Sequence, residues 1–205
     1  MKIRNVVTTA NLRQYVDATK FSRHTWGRYG IEYYGGRCGY VKDKTMQGRV
    51  AVFFSGKMIS TGANSIRVSI DQLEHTMEIL AIEKFIERIR LQPKVQNVVA
   101  TADLKSKIDL NRAASILTKF SLEPEQFAGA IYRSPQGPTC LIFASGKIVI
   151  AGARSERQVI DTEISLLKLL NRFFIYDNTT GNLISFRIMC FDQPCVLCCQ
   201  GYLRS

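Results

Sequence analysis

The sequence predicts an α+β fold of two tandem pseudo-symmetric repeats, with long helices on one face of an antiparallel sheet and the other face uncovered. Three observations carry this. First, Arg4-Asn5-Val6-Val7-Thr8-Thr9-Ala10 returns as Gln96-Asn97-Val98-Val99-Ala100-Thr101-Ala102. Second, Phe54-Ser55-Gly56-Lys57 with Gly62-Ala63 returns as Ala144-Ser145-Gly146-Lys147 with Gly152-Ala153. Asn97 follows Asn5 by 92 residues and Lys147 follows Lys57 by 90, so order and spacing are both kept. Third, each half reads strand, helix, several antiparallel strands, long helix, the pattern of helices segregated to one face of a sheet. What recurs most strongly is polar and glycine punctuation at strand ends rather than apolar spacing, which points to a surface shared by both halves.

Residues 3–9 alternate with a β-branched bias, so Asn5, Val7 and Thr9 share one face of a first strand and Arg4, Val6 and Thr8 the other. A short helix is expected near 11–24. Arg28 to Gly39 is crowded with four glycines and with Tyr29, Tyr33 and Tyr34, and reads as a loop or a bent hairpin. Strands at 49–55 and 57–61 join tightly around Ser55-Gly56. Ile66, Ile70, Leu73, Met77, Leu80, Phe85 and Ile89 then recur at three- to five-residue spacing until Pro93, which predicts a long amphipathic helix. The second half predicts a strand over 95–102, a helix near 109–119, a hairpin set over 127–151 and a second long helix. Ser155-Glu156-Arg157-Gln158 is a capping-box pattern for that helix, with Ile160, Ile164, Leu167 and Leu170 as its stripe.

At 205 residues and 46% hydrophobic composition the chain can bury a substantial core. No apolar run approaches the roughly 18 residues needed to cross a bilayer, and the N-terminus leads into a strand pattern without an apolar leader region. No membrane association or export is therefore expected, and the six cysteines read as mostly reduced thiols. The net charge is +11 and the isoelectric point about 9.6. Residues 1–57 hold eleven Lys or Arg against three acids, the footprint of a polyanion binder.

The residues that share a register with Asn5 and Asn97 include Val7, Ile59, Val99, Val149, Phe53 and Phe143, apolar for a solvent face. Period two alone leaves open whether they point into the core or onto the uncovered face. Asn5-Val6-Val7, Asn97-Val98-Val99, Phe53-Phe54-Ser55-Gly56-Lys57 with Thr61-Gly62-Ala63, and Glu123-Pro124-Glu125-Gln126-Phe127 through Tyr132-Arg133 decide between these readings. Together they resemble the core of the TATA-box-binding protein family, over roughly residues 1–172 and in both halves in order.

The resemblance implies a saddle whose curved antiparallel sheet sits in the DNA minor groove, with the helices on the convex face. It divides the chain into a first repeat at 1–92, a second at 93–172 and a cysteine-rich extension at 173–205. A·T pairs show only acceptors in that groove, so amide donors fit them and the guanine amino group disturbs the fit. The resemblance gives that role to Asn5 and Asn97. Val7, Val99, Ile59, Leu141 and Val149 would press on sugars and base edges, with Thr9, Thr61 and Thr101 adding hydrogen bonds. Lys57, Lys147, Arg133 and Arg154 would meet phosphates.

Family members also insert a pair of phenylalanines at each end of the site, unstacking a base step and kinking the duplex. Phe127 and Phe143 match both positions of the second repeat, and Phe53 matches Phe143. Sixteen residues separate Phe127 from Phe143, and the same count back from Phe53 lands on Arg37, so one phenylalanine is missing from the first repeat. Arg37, Tyr34 and Tyr40 are the candidates for its place, and weaker or asymmetric bending is the expected consequence. Ala151 stands where the first repeat keeps Thr61, and Asn64 where lysine is usual in the family.

Glu123 and Glu125 would form the docking edge for a transcription factor IIB-like protein. The expected partners are thus double-stranded A·T-rich promoter DNA and initiation factors, in the nucleus, or in the cytoplasm if the chain is archaeal. The alternative reading is a family paralogue acting mainly as a protein-interaction platform. A small-molecule or enzyme domain on the same fold has only fold analogy behind it. His24 and His75 form no catalytic spacing, and Gly56-Lys57 and Gly146-Lys147 lack the glycine spacing of a phosphate loop. No enzymatic activity and no cofactor are expected. Cys190, Cys195, Cys198 and Cys199 invite a zinc reading, but adjacent cysteines with no nearby histidine make poor tetrahedral geometry. Reduced thiols in an extra strand over 183–191 are the reading preferred, with no metal site.

Overall fold

The computed structural model describes residues 1–175. Ten strands form one antiparallel sheet. In chain order the first half supplies β1 (Lys2–Asn11), β2 (Gly27–Tyr29), β3 (Cys38–Val41), β4 (Arg49–Phe53) and β5 (Lys57–Ala63), followed by α1 (Ile66–Ile82). The second half supplies β6 (Lys94–Asp103), β7 (Lys107–Ile108), α2 (Leu110–Ile116), β8 (Phe120–Leu122), β9 (Ala130–Arg133), β10 (Thr139–Ile142), β11 (Lys147–Ala153) and α3 (Glu156–Leu170). A last strand, β12 (Phe174–Ile175), pairs with β7 outside the main sheet. The sheet order is β2-β3-β4-β5-β1-β6-β11-β10-β9-β8, so β1 and β6 meet at a central seam and each half fans out from it.

Alternation along the seam strands decides which face the helices cover. Val6, Thr8 and Ala10 on β1, and Val98, Ala100 and Ala102 on β6, are buried, while Asn5, Val7, Thr9, Asn97, Val99 and Thr101 stay half-exposed on the opposite face. The helix side holds two cores. The first-half core gathers Leu12, Phe21, Val52, Met58, Leu73 and Leu80, and the second gathers Val98, Ile108, Ile142, Ile150, Leu166 and Phe173. Ser65 and Ser155 cap the two long helices, accepting from the N–H groups of Val68 and Gln158. Beneath α1 lies a hydrogen-bonded polar cluster: Gln72 Nε2 and Ser69 Oγ both donate to Ser60 Oγ, and Gly48 N–H donates to Gln72 Oε1 at 2.6 Å.

Four expectations are corrected. The helix expected near 11–24 shrinks to a 3-10 turn over Ala18–Arg23. Residues 12–16 instead form an irregular segment, bent at Arg13 with a φ of 56°, that follows the β4–β5 hairpin, with Leu12 N–H donating to Gly56 O and Val16 N–H to Phe54 O. The first long helix stops at Ile82 rather than continuing to Ile89, because Lys84 takes a left-handed φ of 60° and Phe85 N–H returns to Leu80 O. Phe85 and Ile89 still pack on the first-half core from the segment that follows. On α3 the buried stripe is Val159, Thr162, Leu166 and Leu170, leaving Ile160 and Ile164 45% and 46% exposed. Finally, the compact unit runs to Ile175, past the boundary expected at 172, since Phe173 is buried in the second-half core and its carbonyl accepts from Asp109 N–H. The strand expected at 183–191 and the four clustered cysteines lie outside the described residues.

On the β3–β4 turn, Asp43 accepts from Thr45 N–H at 2.8 Å and faces His75 Nε2 of α1 at 2.5 Å. Burial opposes its ionisation, yet the hydrogen bonds from His75 and Thr45 outweigh burial and hold the carboxyl at about 2, below its ordinary 3.8. A folded-state value below the unfolded one stabilises above pH 3.8, and that contribution is lost as the pH falls through about 2. Asp43→Asn is therefore expected to lower the urea midpoint at pH 6, and the gap to the parent should close as the pH approaches 2. Urea titrations at several pH values check this.

Candidate nucleic-acid interface

The uncovered face is built in rows that cross the sheet. Leu141 pairs with Val149, Val149 with Thr101, and Thr101 with Lys2. In the first half Ala51 pairs with Ile59 and Ile59 with Thr9. At the seam Asn5 lies opposite Val99 and Val7 opposite Asn97, the relation a twofold axis would produce. Val7, Ile59, Val99, Leu141 and Val149 are all half-exposed there. The apolar register that period two left open therefore faces outward, as the recurring motifs implied, where no helix covers it. Thr61 lies on the same face, with Ala151 at the matching place in the second half, paired with Thr139.

Bulges fix the two asparagines. The β1–β5 ladder slips between Val6 and Thr8, and the β11–β6 ladder between Ile150 and Ala153, which frees Gly62 and Gly152 from regular pairing. Both glycines take positive φ, 86° and 92°, which residues with a Cβ rarely adopt. Each donates its N–H to an asparagine carbonyl: Gly62 to Asn5 Oδ1 and Gly152 to Asn97 Oδ1, both at 2.8 Å. A backbone N–H can meet only the oxygen of an amide, so the orientation of each side chain is determined. Both NH₂ groups are thereby turned away from the turn glycines. The recurring Asn and Gly are one device, the glycine holding the asparagine's acceptor so that its donors are presented.

Aromatic pairs stand at the two outer ends. Phe127 and Phe143 pack edge to face with centroids 5.6 Å apart and planes at 63°. In the first half Phe53 pairs with Tyr34 at 5.1 Å and 59°. The count that pointed to Arg37 crossed two connections of unequal length: Tyr29 pairs with Gly39 where Leu122 pairs with Ala130, a loop two residues longer, and Gly39 pairs with Val52 where Ala130 pairs with Ile142, a hairpin one residue longer, which together move the match from Arg37 to Tyr34. Counted from the strand before it, Tyr34 follows Tyr29 by five residues, as Phe127 follows Leu122. The insertion follows Tyr34 and includes Gly35 and Gly36, both at positive φ. Tyr34 is 61% exposed, whereas Tyr40 lies under Arg49, whose guanidinium sits 4.3 Å from its ring centroid.

Lys57 and Lys147 are exposed at the hairpin ends, and Arg133 is exposed at the end of β9. Arg154 lies elsewhere, on the β11–α3 turn, where its N–H donates to Gln158 Oε1. Glu123 and Glu125 are exposed on the loop that leads to Phe127. Sequence reading missed Arg4 and Gln96. Alternation assigned Arg4 to the helix side, but the β1–β6 ladder shifts between Ile3 and Asn5 and again between Val7 and Thr8. Both side chains consequently reach the uncovered face, Arg4 Nε donating to Thr101 Oγ1 at 2.9 Å and Gln96 Nε2 to Thr9 Oγ1 at 2.8 Å. Their place inside the recurring motif was the available signal.

Cys38 and Cys140 are buried free thiols, and burial pushes Cys140 up to about 11. Among the described residues no group of three or more His, Cys, Asp or Glu is placed to hold a metal ion, and no helix is long and apolar enough to cross a membrane.

Fold and face together define a two-repeat α+β saddle with a polar-edged apolar sheet surface and helices on its other side. A family model described as transcription factor TFIID, or TATA-binding protein, matches residues 1–82 and again 92–173. The TATA-box-binding protein of Cenarchaeum symbiosum (strain A) is 40% identical over 170 residues, 83% of this chain and 93% of the relative. That of Pyrodictium occultum is 35% identical over 174 residues, covering 83% and 85%. The solved structure of Methanococcus jannaschii TBP superposes with a TM-score of 0.73 at 29% identity, over 83% of this chain and 98% of that one. The chain belongs to the TATA-box-binding protein family, whose members are non-enzymatic DNA-binding factors of transcription initiation.

Proposed function

We propose that this chain binds A·T-rich promoter DNA in the minor groove across its uncovered sheet face, kinks the duplex at both ends and nucleates assembly of the initiation complex. The observation that carries this is the pair of amide donors at the seam. Asn5 and Asn97 have their acceptors occupied by Gly62 and Gly152 and present NH₂ groups at matched positions. Adenine N3 and thymine O2 accept such donors, and a guanine amino group there would oppose donor to donor. Val7, Val99, Ile59, Leu141 and Val149 give these donors an apolar surround suited to sugar and base edges. Lys57, Lys147 and Arg133 supply phosphate contacts that position the duplex without reading it, and Arg154, on the β11–α3 turn, is left out of that set.

The ring pairs Tyr34/Phe53 and Phe127/Phe143 act as the wedges, each unstacking one base step at a cost of roughly a few kcal/mol. Tyr34 supports kinks at both ends, where the count to Arg37 supported one. It also removes the argument that favoured an interaction platform with altered DNA binding. Glu123 and Glu125 form an acidic docking edge for a transcription factor IIB-like protein. The relatives named above are archaeal, which supports the second of the two expected locations, the cytoplasm of a cell without a nucleus.

The test is duplex binding across a salt series, with an A·T-rich element against the same element carrying G·C substitutions. Preference for the A·T-rich duplex, with log K falling linearly against log salt, is expected; equal binding of the two duplexes rejects the reading. Adding a transcription factor IIB-like protein to the same assay tests the docking edge. Glu123→Arg with Glu125→Arg should keep the duplex complex and lose the ternary one, and an intact ternary complex removes that assignment.

A further inference from the structure

The outer strands of the first half carry charge that those of the second half lack. Arg28 pairs with Tyr40 and Tyr40 with Ala51, where in the second half Ser121 pairs with Ile131 and Ile131 with Leu141. In the next row Arg49 pairs with Thr61 where Thr139 pairs with Ala151. Lys42 is the counterpart of Arg133, since Lys42 N–H donates to Trp26 O as Arg133 N–H donates to Lys119 O. Arg28, Lys42 and Arg49 are all exposed, and they line one hollow of about 230 Å³ with Tyr33 and Tyr40. The matching hollow of the second half holds Lys119 and Arg133 together with Glu123. Three cations without an acid in one half thus correspond to two cations with an acid in the other.

Tyr40 builds the first-half hollow. Tyr33 packs edge to face on its ring, with centroids 4.8 Å apart and planes at 86°, and the Arg49 guanidinium sits 4.3 Å from the ring centroid. Stacking restrains a guanidinium by its flat face and leaves the N–H groups at its rim to donate. Arg28 donates from one terminal nitrogen to Gly27 O at 2.7 Å and keeps the other. Among the described residues no carboxylate pairs with Arg28, Lys42 or Arg49. Asp43, next to Lys42 in the chain, is held by His75 and Thr45, and Glu32 does not line the hollow. Like charges gathered in this way repel one another, and a polyanion relieves the repulsion. Phosphate is the anion that suits a guanidinium fork, which meets two of its oxygens side by side. The hollow opens on the face that carries Asn5 and Thr61, and Tyr33 on its wall directly precedes the wedge residue Tyr34, so a duplex bound on that face brings backbone phosphates to it.

We propose that Arg28 and Arg49, with Lys42 beside them and Tyr40 beneath, clamp the phosphate backbone of the bound duplex next to the first-half wedge, a contact for which the second half has no equivalent arginines. The proposal rests on the DNA-binding reading above. It is tested with the full chain by duplex binding across a salt series, using an A·T-rich element and its G·C-substituted form. Arg28→Ser combined with Arg49→Thr installs the residues that stand at these places in the second half. The slope of log K against log salt is expected to become shallower by about 1 for each arginine. The preference for the A·T-rich duplex should stay as in the parent, because phosphate contacts carry no sequence information. Arg67→Ser combined with Arg157→Ser removes the same charge from α1 and α3 on the other side of the sheet, and should keep the parent's slope. An unchanged slope in the Arg28/Arg49 variant overturns the proposal, and so does an equal change in the helix variant, which would trace the effect to net charge alone. Inorganic tripolyphosphate titrated calorimetrically into the free chain checks the other source of the same chemistry. Uptake that the Arg28/Arg49 variant loses, with no change in its salt slope on duplex, assigns the hollow to a free polyphosphate and overturns the clamp. Failure of the parent to prefer A·T-rich over G·C-substituted duplex overturns the DNA-binding reading instead, so the two failures are told apart.

Discussion

Asn97→Asp is expected to weaken binding to an A·T-rich duplex by about 10²-fold or more while the thermal midpoint of the free protein stays close to the parent's. The substitution is nearly isosteric, and a carboxylate oxygen still accepts the Gly152 N–H that fixes the side chain. Local structure is therefore retained. What changes is the other half of the side chain, where an NH₂ donor becomes a charged acceptor facing the acceptors of adenine and thymine beside two phosphate backbones. Juxtaposed like charges at an interface cost several kcal/mol, which sets the expected size of the loss. Asn5→Asp should behave in the same way, because Gly62 holds Asn5 as Gly152 holds Asn97. Fluorescence anisotropy with labelled duplex, read beside a melting curve of each free variant, makes the measurement. If Asn97→Asp binds as the parent does, the amides are not the base-reading groups, and the central argument for a minor-groove reader fails.

The second large effect concerns the kinks. Tyr34→Ala is expected to abolish base unstacking at the end of the site under the first half, and Phe127→Ala at the end under the second, each leaving the other kink in place. Losing an aromatic ring from a base step should also weaken binding by about tenfold or more. Tyr34→Phe should keep the kink, since the ring rather than the hydroxyl occupies the wedge position. A 2-aminopurine placed at each outer step reports the unstacking locally, and energy transfer between the duplex ends reports the total bend. Two kinks in Tyr34→Ala would show that the match between Tyr34 and Phe127 is geometric only. A single kink in the parent, at the Phe127 end, would restore the one-sided bending expected from the count to Arg37.

The contrast between Tyr34 and Arg37 shows where sequence reading stops. A count of sixteen residues assumes connections of equal length, and in the first half the loop before β3 is two residues longer and the β3–β4 hairpin one residue longer. Only the strand pairing on either side fixes which ring stands beside Phe53. The same limit explains α3. Val159 and Ile160 are adjacent and begin two apolar stripes with similar spacing, and the sequence does not say which one faces the sheet; packing buried Val159 and left Ile160 and Ile164 exposed. In α1 the apolar series continued to Ile89, but a left-handed Lys84 ended the helix while Phe85 and Ile89 stayed on the core by a different path.

By itself the sequence determined the two-repeat plan, the strands of the seam and the serine cap of the second long helix, and it singled out Asn5, Asn97, Phe53, Phe127 and Phe143. These are local properties: period two, a hydroxyl before an apolar stripe, and a motif written twice. Burial in the tertiary structure bears out the outward Asn5 register that the motifs implied, and the tertiary structure alone decided that Gly62 and Gly152 hold the asparagine carbonyls, that Tyr34 stands beside Phe53, and that Arg4 and Gln96 lie on the uncovered face. Each of these depends on a bulge or a loop length, which shifts one strand against its neighbour. Alternation within a strand carries no record of such a shift, because register is a relation between strands and is settled only when they pair.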